Sequence, residues 1–313
     1  MIDRGGRAGA APVVVCAGGA VVDRHLRLLA PAVPGTSNPS AVSTSDGGVA
    51  RNVAENLALL GVRARLVSRV GDDDAGRMLV SRLRACGVDV ATVVVDPGAP
   101  TAQYVAVLDP DGDLVIGAAA MELLDQVTVE DVEAAWPATG EWLFADCNLP
   151  EPVLAAVVAK ARADGTRLAV DAVSTPKVTR LVGGAGLRGI RVLFCNLDEA
   201  RALLAASHHP ADGGAYAVAQ DLVAHGARAV VLTLGVQGVI IAGVWGVRAI
   251  PAVQARMVDV RGAGDALVAG TLSVLARGET LDAAVRVGLA AAAFTVASPL
   301  SVRPDVAASA ALV

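Results

Sequence analysis

Asp259-Val260-Arg261-Gly262-Ala263-Gly264-Asp265 sets two carboxylates and two glycines ahead of an Ala/Leu/Val segment that reads as a helix through about Ala276. Glycine lets a backbone turn tightly and lets main-chain N–H groups approach a ligand. The start of a helix adds unpaired N–H donors and a positive dipole end, which suits an anion. A carboxylate beside an anion site is unfavourable unless it has a task, such as accepting the proton of an attacking hydroxyl. That chemistry is phosphoryl transfer, with Gly262, Ala263 and Gly264 as the backbone cradle and Asp265 aligning the nucleophile. Asp is also a common helix N-cap, and this stretch alone leaves the two roles open.

Other polar residues fall just beyond apolar runs that read as strands. Asp23 follows Val13–Ala17 and can accept hydrogen bonds from ligand hydroxyls, or serve a plain turn. Asn148 follows Trp142–Ala145. Asn196-x-x-Glu199 follows Val192–Cys195 and offers a carboxylate for Mg²⁺ through ordered water, because Mg²⁺ keeps much of its hydration shell. Thr233-Leu234-Gly235-Val236-Gln237-Gly238 is a glycine loop able to lie against phosphates or a ribose. Gly47-Gly48 opens a second helix, closed by Gly61, in which Asn52 and Asn56 project from one face. Singly, each such feature is more often structural than functional.

The elements that must position these residues alternate. From residue 127 onward, strands and helices follow one another regularly, which predicts a parallel, doubly wound α/β sheet with helices on both faces. Ligands in such sheets collect at the strand C-termini, where the polar residues recur. Residues 26–46 lack helical periodicity, and Pro110-Asp111-Gly112-Asp113 sits in a β-hairpin pattern. A small β lid from about 26–46 and 98–119 is therefore expected on a core domain of 13–313, after a disordered tail of 1–12. The segment 71–76 reads as a turn before a helix over 77–86.

Composition narrows the function. Only two lysines, Lys160 and Lys177, stand among the 26 basic residues, and neither lies in a P-loop or on a protein-kinase phosphate strand. A net charge of −5 argues against a nucleic-acid or anionic-membrane surface. Cys16, Cys86, Cys147 and Cys195 show no metal-binding spacing with the four histidines, and isolated thiols fit a reducing cytoplasm. No apolar run reaches the roughly 18 residues that span a bilayer. Arg4 and Arg7 before Ala10–Val22 superficially resemble a signal peptide, but Val13–Gly19 makes a buried first strand ending in a glycine turn, which favours a cytoplasmic protein. An NAD-dependent oxidoreductase should carry G-x-G-x-x-G after that strand, and Gly18-Gly19-Ala20-Val21-Val22-Asp23 lacks the spacing.

Taken in order, Gly47-Gly48…Asn52, Asn196-x-x-Glu199, Thr233-x-Gly235-x-x-Gly238 and Asp259-x-x-Gly262-Ala263-Gly264-Asp265 resemble the PfkB (ribokinase-like) sugar kinases over about residues 13–305. The resemblance implies a catalytic Asp265, an anion hole at Ala263 and Gly264, and Asn196 and Glu199 serving phosphate and Mg²⁺. It also implies a substrate held by Asp23, Gly47, Gly48 and Asn52. ATP and Mg²⁺ are the implied cofactors. A K⁺ site is implied at Asp259, although Arg261 stands where the family commonly has Thr. Within the family, Thr36-Ser37-Asn38-Pro39-Ser40, Gly48–Leu57, Asp146-Cys147-Asn148-Leu149-Pro150 and Asp171-Ala172-Val173-Ser174-Thr175-Pro176-Lys177 resemble pseudouridine kinases, with Ala172 where Pro is usual. That likeness implies phosphorylation of a nucleoside 5′-hydroxyl, with Ser37 and Asn38 reading the base from the lid. Ribose, adenosine, inosine and hexoses are the alternative acceptors, and a non-catalytic ligand-binding relative is the rival class. The uncovered face of the lid points to a homodimer.

Overall fold

The computed structural model describes residues 13–182, 186–209 and 211–313. The tail expected over residues 1–12 lies outside them. In chain order the first half comprises β1 (Val13–Ala17), β2 (Val21–Leu28), β3 (Ser40–Gly47), α1 (Val49–Leu59), β4 (Arg63–Gly71), α2 (Asp74–Ala85), β5 (Val93–Asp96), β6 (Gln103–Leu108) and β7 (Leu114–Ala120). Then come α3 (Val129–Glu133), β8 (Trp142–Asp146), α4 (Glu151–Asp164), β9 (Arg167–Asp171), α5 (Thr175–Val178), β10 (Ile190–Asn196), α6 (Leu197–Ala206) and α7 (Ala215–Ala224). The chain closes with β11 (Ala229–Thr233), β12 (Val239–Gly243), β13 (Gly246–Ile250), α8 (Ala263–Leu275) and α9 (Leu281–Val296).

Nine strands form one sheet in the order β13-β12-β11-β10-β9-β8-β1-β4-β5. Seven run parallel, and the hairpin β12–β13 is added antiparallel at one edge. Burial on both faces explains why these strands read as near-continuous apolar runs. In β1, Val15 and Ala17 join the core layer under α3 to α7, whereas Val14 and Cys16 join the layer under α1, α2, α8 and α9. The fold is thus α/β and doubly wound. With few aromatic residues, its layers close through small ones: a Cβ on Gly270 of α8 would lie 2.8 Å from the Cα of Gly288 in α9. That contact fixes the helix carrying Asp265.

A second, four-stranded sheet has the order β3-β2-β6-β7, with β2 and β6 parallel. It includes the segments expected in the lid and starts earlier, at Val21. Helix α2 begins at Asp74, inside the expected turn, because the Asp73 side chain caps it by accepting a 2.8 Å bond from the Gly76 N–H. Among the described residues, no helix is long and apolar enough to cross a membrane.

Candidate active site

Strand β1 is flanked by β8 on one side and β4 on the other, so the direction of winding reverses between β1 and β8. A crevice opens outside the strand ends at such a point. Asp146, the last residue of β8, is fully buried there. Its Oδ2 accepts the N–H groups of Gly19 at 3.0 Å and Ala50 at 2.8 Å, and its Oδ1 accepts that of Asn148 at 2.8 Å. One carboxylate therefore ties the exit of β1, the start of α1 and the exit of β8 together. A Cβ on Gly18 would lie 2.3 Å from that carboxyl group, which explains the glycine.

The turn from the small sheet into α1 is equally tight. Gly48 has φ 92, and a Cβ there would approach the Gly19 carbonyl oxygen to 2.4 Å. At Gly47 a Cβ would lie 2.1 Å from the Asp23 carboxylate, so glycine there makes room for Asp23, whose charge reaches Asp265. Arg51, buried, donates from Nε to the Gly47 carbonyl at 3.1 Å and from Nη2 to the Asp46 carbonyl at 2.8 Å, and pairs with Glu55. It props the turn from beneath.

From the opposite side comes α8. Gly262 is its left-handed N-cap at φ 72, pressed so closely on the chain beyond α9 that a Cβ would lie 1.9 Å from the Ser301 carbonyl oxygen. The Ala263 N–H points to the Val260 carbonyl at 3.3 Å, whereas Gly264 borders open space. The first-turn amides of Gly264 and Asp265 have no carbonyl within the helix to bond. Asp265 Oδ2 accepts a 2.6 Å bond from Asn52 Nδ2, across 213 residues of sequence. Burial raises the Asp265 carboxyl to about 6, against the Asn52 hydrogen bond and the Arg51 charge, which lower it. Asp23 is likewise raised to about 6 by burial, with Arg51 and Arg261 opposing. Both carboxyls are thus poised near neutrality, where an acid–base group is most useful.

A cavity of ≈ 170 Å³ opens between Asp265 and the sheet, bordered by Asp171, Asn196, Glu199, Thr233 and Gly264. Among the described residues lining it there are three carboxylates and no basic side chain. Burial, then the charges of Asp265 and Glu199, pushes Asp171 well above the usual carboxylate range. Burial also raises Glu199, against its bonds to Asn196. Such a surplus of negative charge suits a divalent cation. Mg²⁺, which keeps much of its hydration shell, needs only one or two such carboxylates.

Asn196 and Glu199 form a capping box at the start of α6. Asn196 Oδ1 accepts the Glu199 N–H at 2.9 Å, and Glu199 Oε2 accepts the Asn196 N–H at 2.8 Å. Their spacing therefore has a structural cause as well as the expected functional one. The loop after β11 closes on itself through a 2.8 Å bond from the Leu234 N–H to the Gly238 carbonyl. Gly238 is demanded by packing, since a Cβ would lie 2.2 Å from the Ile250 carbonyl oxygen, whereas Gly235 faces open space. Thr233 lines the cavity.

Ser37 and Asn38 are not brought to this crevice. They lie in the loop joining β2 to β3, beyond the pair Leu28–Ser40, while Asp23 and Gly47 are at the other end of that ladder. Five residues of strand, roughly 17 Å, separate Asp23 from the tip. The Asn38 amide is spent on its own loop, accepting from the Val33 N–H at 2.8 Å and donating to the Val33 and Thr36 carbonyls at 2.9 and 3.0 Å. Asn148 is close to the crevice: its Nδ2 would lie 2.8 Å from a Cβ on Gly19, and its Oδ1 accepts from Lys177.

Asp259 does not fit a K⁺ site. Its Oδ1 accepts the Arg261 N–H at 2.9 Å and Nε at 3.0 Å, and its Oδ2 accepts Nη2 at 2.6 Å. A guanidinium already occupies the carboxylate.

Sequence reasoning passed over Asp146, Arg51 and Asp171 as site groups. Asp146 and Asp171 close their strands, a position that marks site residues in this architecture. Nothing in the local sequence marks Arg51. Val173, in the left-handed region at φ 65, also borders the cavity, and a β-branched residue held there is strained.

The sequence pattern of the pfkB family carbohydrate kinases matches residues 13–306. Pseudouridine kinase from Escherichia coli strain K12 is 30% identical over 272 residues, which cover 86% of this chain and 85% of that protein. A carbohydrate kinase from Agrobacterium tumefaciens, 33% identical, superimposes with a TM-score of 0.80 over 96% of this chain and 98% of its own. Arabidopsis thaliana ribokinase, solved with ribose and ATP, superimposes with a TM-score of 0.81 over 97% of this chain and 99% of its own, and at 22% identity that likeness is one of fold. Since the pattern runs from the first strand, through both sheets, to the segment beyond α9, the chain belongs to the pfkB family of carbohydrate kinases.

Proposed function

We propose that the chain transfers the γ-phosphoryl group of ATP to the 5′-hydroxyl of a nucleoside, pseudouridine being the acceptor. The observation that carries the reaction is the Asn52–Asp265 pair: a half-buried carboxyl raised to about 6, at the start of α8, hydrogen-bonded at 2.6 Å and facing the cavity. Asp265 accepts the proton of the attacking hydroxyl, and in a loose transition state its main task is to orient that oxygen. The first-turn amides of α8 stabilise the charge that develops on the transferred group. Asp23 accepts hydrogen bonds from ribose hydroxyls, while Asn52 holds Asp265 in place and Asn148 stands at the β8 exit beside Gly19. Gly235 and Thr233 border the triphosphate. Mg²⁺, when bound, would supply neutralisation of the phosphate charge. Glu199, whose second carboxylate oxygen is not used in the capping box, would hold the hydrated ion. The small sheet closes over the acceptor and excludes water.

Pseudouridine as acceptor is supported by the 30% identity to the Escherichia coli enzyme and by Gly48–Leu57 and Asp171–Lys177. The Asn38 amide, engaged in its own loop, leaves base recognition to other groups, so free sugars belong in the same screen. The exposed Leu114, Val115 and Ile116 of β7 support pairing with a second copy, to be read from the solution mass. The deciding experiment is ADP release with ATP and a panel of pseudouridine, uridine, adenosine, inosine, ribose and hexoses. Pseudouridine should give the highest kcat/KM. A sugar or purine nucleoside above it refutes the acceptor, and an Asp265→Asn variant that keeps more than about a hundredth of wild-type kcat refutes the base.

A further inference from the structure

We propose that the Arg261 guanidinium permanently takes the place of a monovalent cation beside the anion-hole loop, so that phosphoryl transfer by this chain needs no K⁺. This rests on the kinase reading above. Arg261 grips Asp259 with both its backbone and its side chain. Oδ1 receives the Arg261 N–H at 2.9 Å and Nε at 3.0 Å, while Oδ2 receives Nε at 2.9 Å and Nη2 at 2.6 Å. A fork of donors on a carboxylate is geometrically specific and leaves no oxygen free for a metal. A K⁺ ion would also have to sit within a few ångströms of a fixed positive charge.

The other end of the guanidinium reaches the small sheet. Nη1 lies 3.1 Å from both ring nitrogens of His25 on β2, an equal separation that only a position over the ring face allows. Burial, then the Arg261 charge, lowers the His25 pKa, so the imidazole stays neutral and receives the cation without repulsion. The group is therefore a charge-balanced stack of carboxylate, guanidinium and neutral ring. It links the residue just before Gly262 to a strand that carries Asp23. The Arg261 charge also lowers the Asp23 carboxyl. A covalently tethered cation does for this loop what an exchangeable ion would do: it neutralises Asp259 and fixes the entry to α8, at no dependence on salt composition.

The test uses the full chain in KCl, NaCl and tetramethylammonium chloride at one ionic strength of about 0.1 M, where surface charges are equally screened. Wild-type kcat should agree within about twofold across the salts. The unfolding midpoint should not rise with K⁺, because an ion that binds the folded state alone must raise it. A K⁺-specific rise in either quantity overturns the proposal. Arg261→Thr should lose activity in tetramethylammonium, by about tenfold or more, and recover part of it in KCl together with a K⁺-dependent rise in midpoint. A folded Arg261→Thr as active as wild type in tetramethylammonium overturns it too. If Arg261→Thr does not fold, Arg261→Gln replaces it under the same criteria, and the wild-type salt series decides alone if both fail. Should no acceptor be phosphorylated in any salt, the kinase reading fails while the midpoints still decide the question of the ion.

Discussion

Replacing Asn52 with Leu removes the donor on Asp265 while nearly preserving side-chain volume. The Asn52 Oδ1 is buried with no hydrogen-bond partner among the described residues, so an apolar replacement relieves one unsatisfied atom and the fold should tolerate it. The lost bond reached an ionised carboxylate and is worth roughly 1.5–3 kcal/mol. At about 1.4 kcal/mol per pKa unit, that moves Asp265 up by roughly one to two units. From a starting value of about 6, its ionised fraction at pH 7 drops from about 0.9 to roughly 0.1–0.5. The base must be ionised to accept a proton, so kcat should fall on the acid side. The expected result, with saturating ATP and pseudouridine and ADP release followed from about pH 5.5 to 9, is an acid limb displaced upward by one to two units. Near pH 7 the loss is about two- to tenfold, and near pH 9 kcat should mostly recover. A variant with raised KM and an unmoved kcat limb would show that Asn52 binds substrate without setting the base, and the reasoning would be wrong.

Further expectations follow from the same geometry. Arg51→Met should also shift the acid limb upward, since the Arg51 charge lowers both Asp265 and Asp23; an unmoved limb in a folded variant refutes this. Gly262→Ala should cost at least about 2 kcal/mol, seen as a fall of several degrees in the unfolding midpoint, because the Cβ meets the Ser301 carbonyl at φ 72. Gly264→Ala should leave the midpoint unchanged yet lower kcat, because its Cβ enters open space beside the first-turn amides. In wild type, the folded Asp265 holds its proton more tightly than the unfolded chain does. The stability linked to that proton is complete below the ordinary carboxylate pKa and lost as pH rises through about 6. Asp265→Asn should therefore show a smaller drop in midpoint between about pH 5 and 8, and an equal drop would contradict the burial argument.

Periodicity made the interior of the fold legible. Val13–Ala17, Trp142–Asp146 and the helix after Pro150 are strongly patterned, and their order alone implies the doubly wound sheet. The hairpin β12–β13 escaped because Val239–Ala242 is uniformly apolar, with no alternation to show its direction. The catalytic candidates that were legible, Asp265 and the flanking glycines, share one local stretch. Arg51 and the Asn52–Asp265 contact were not, because each depends on a partner whose proximity is created by the turn at Gly47–Gly48. Asn196-x-x-Glu199 carried two meanings at once, and only the reciprocal bonds reveal that the capping role is filled. Ser37 and Asn38 illustrate the opposite problem: a motif in the right element, at the end of the strand away from the crevice.

The small sheet is assembled from two separate excursions of the chain, β2–β3 and β6–β7, joined by the parallel pairing of β2 with β6. A two-stranded hairpin is marginal on its own in water. Neither excursion can therefore persist until the large sheet has fixed both departure points, the exits of β1 and β5, which makes the small sheet a late-folding, all-or-none unit. It cannot be cut out or transplanted as a cassette. Its amides should exchange with solvent together, at a rate set by the docking of one hairpin on the other.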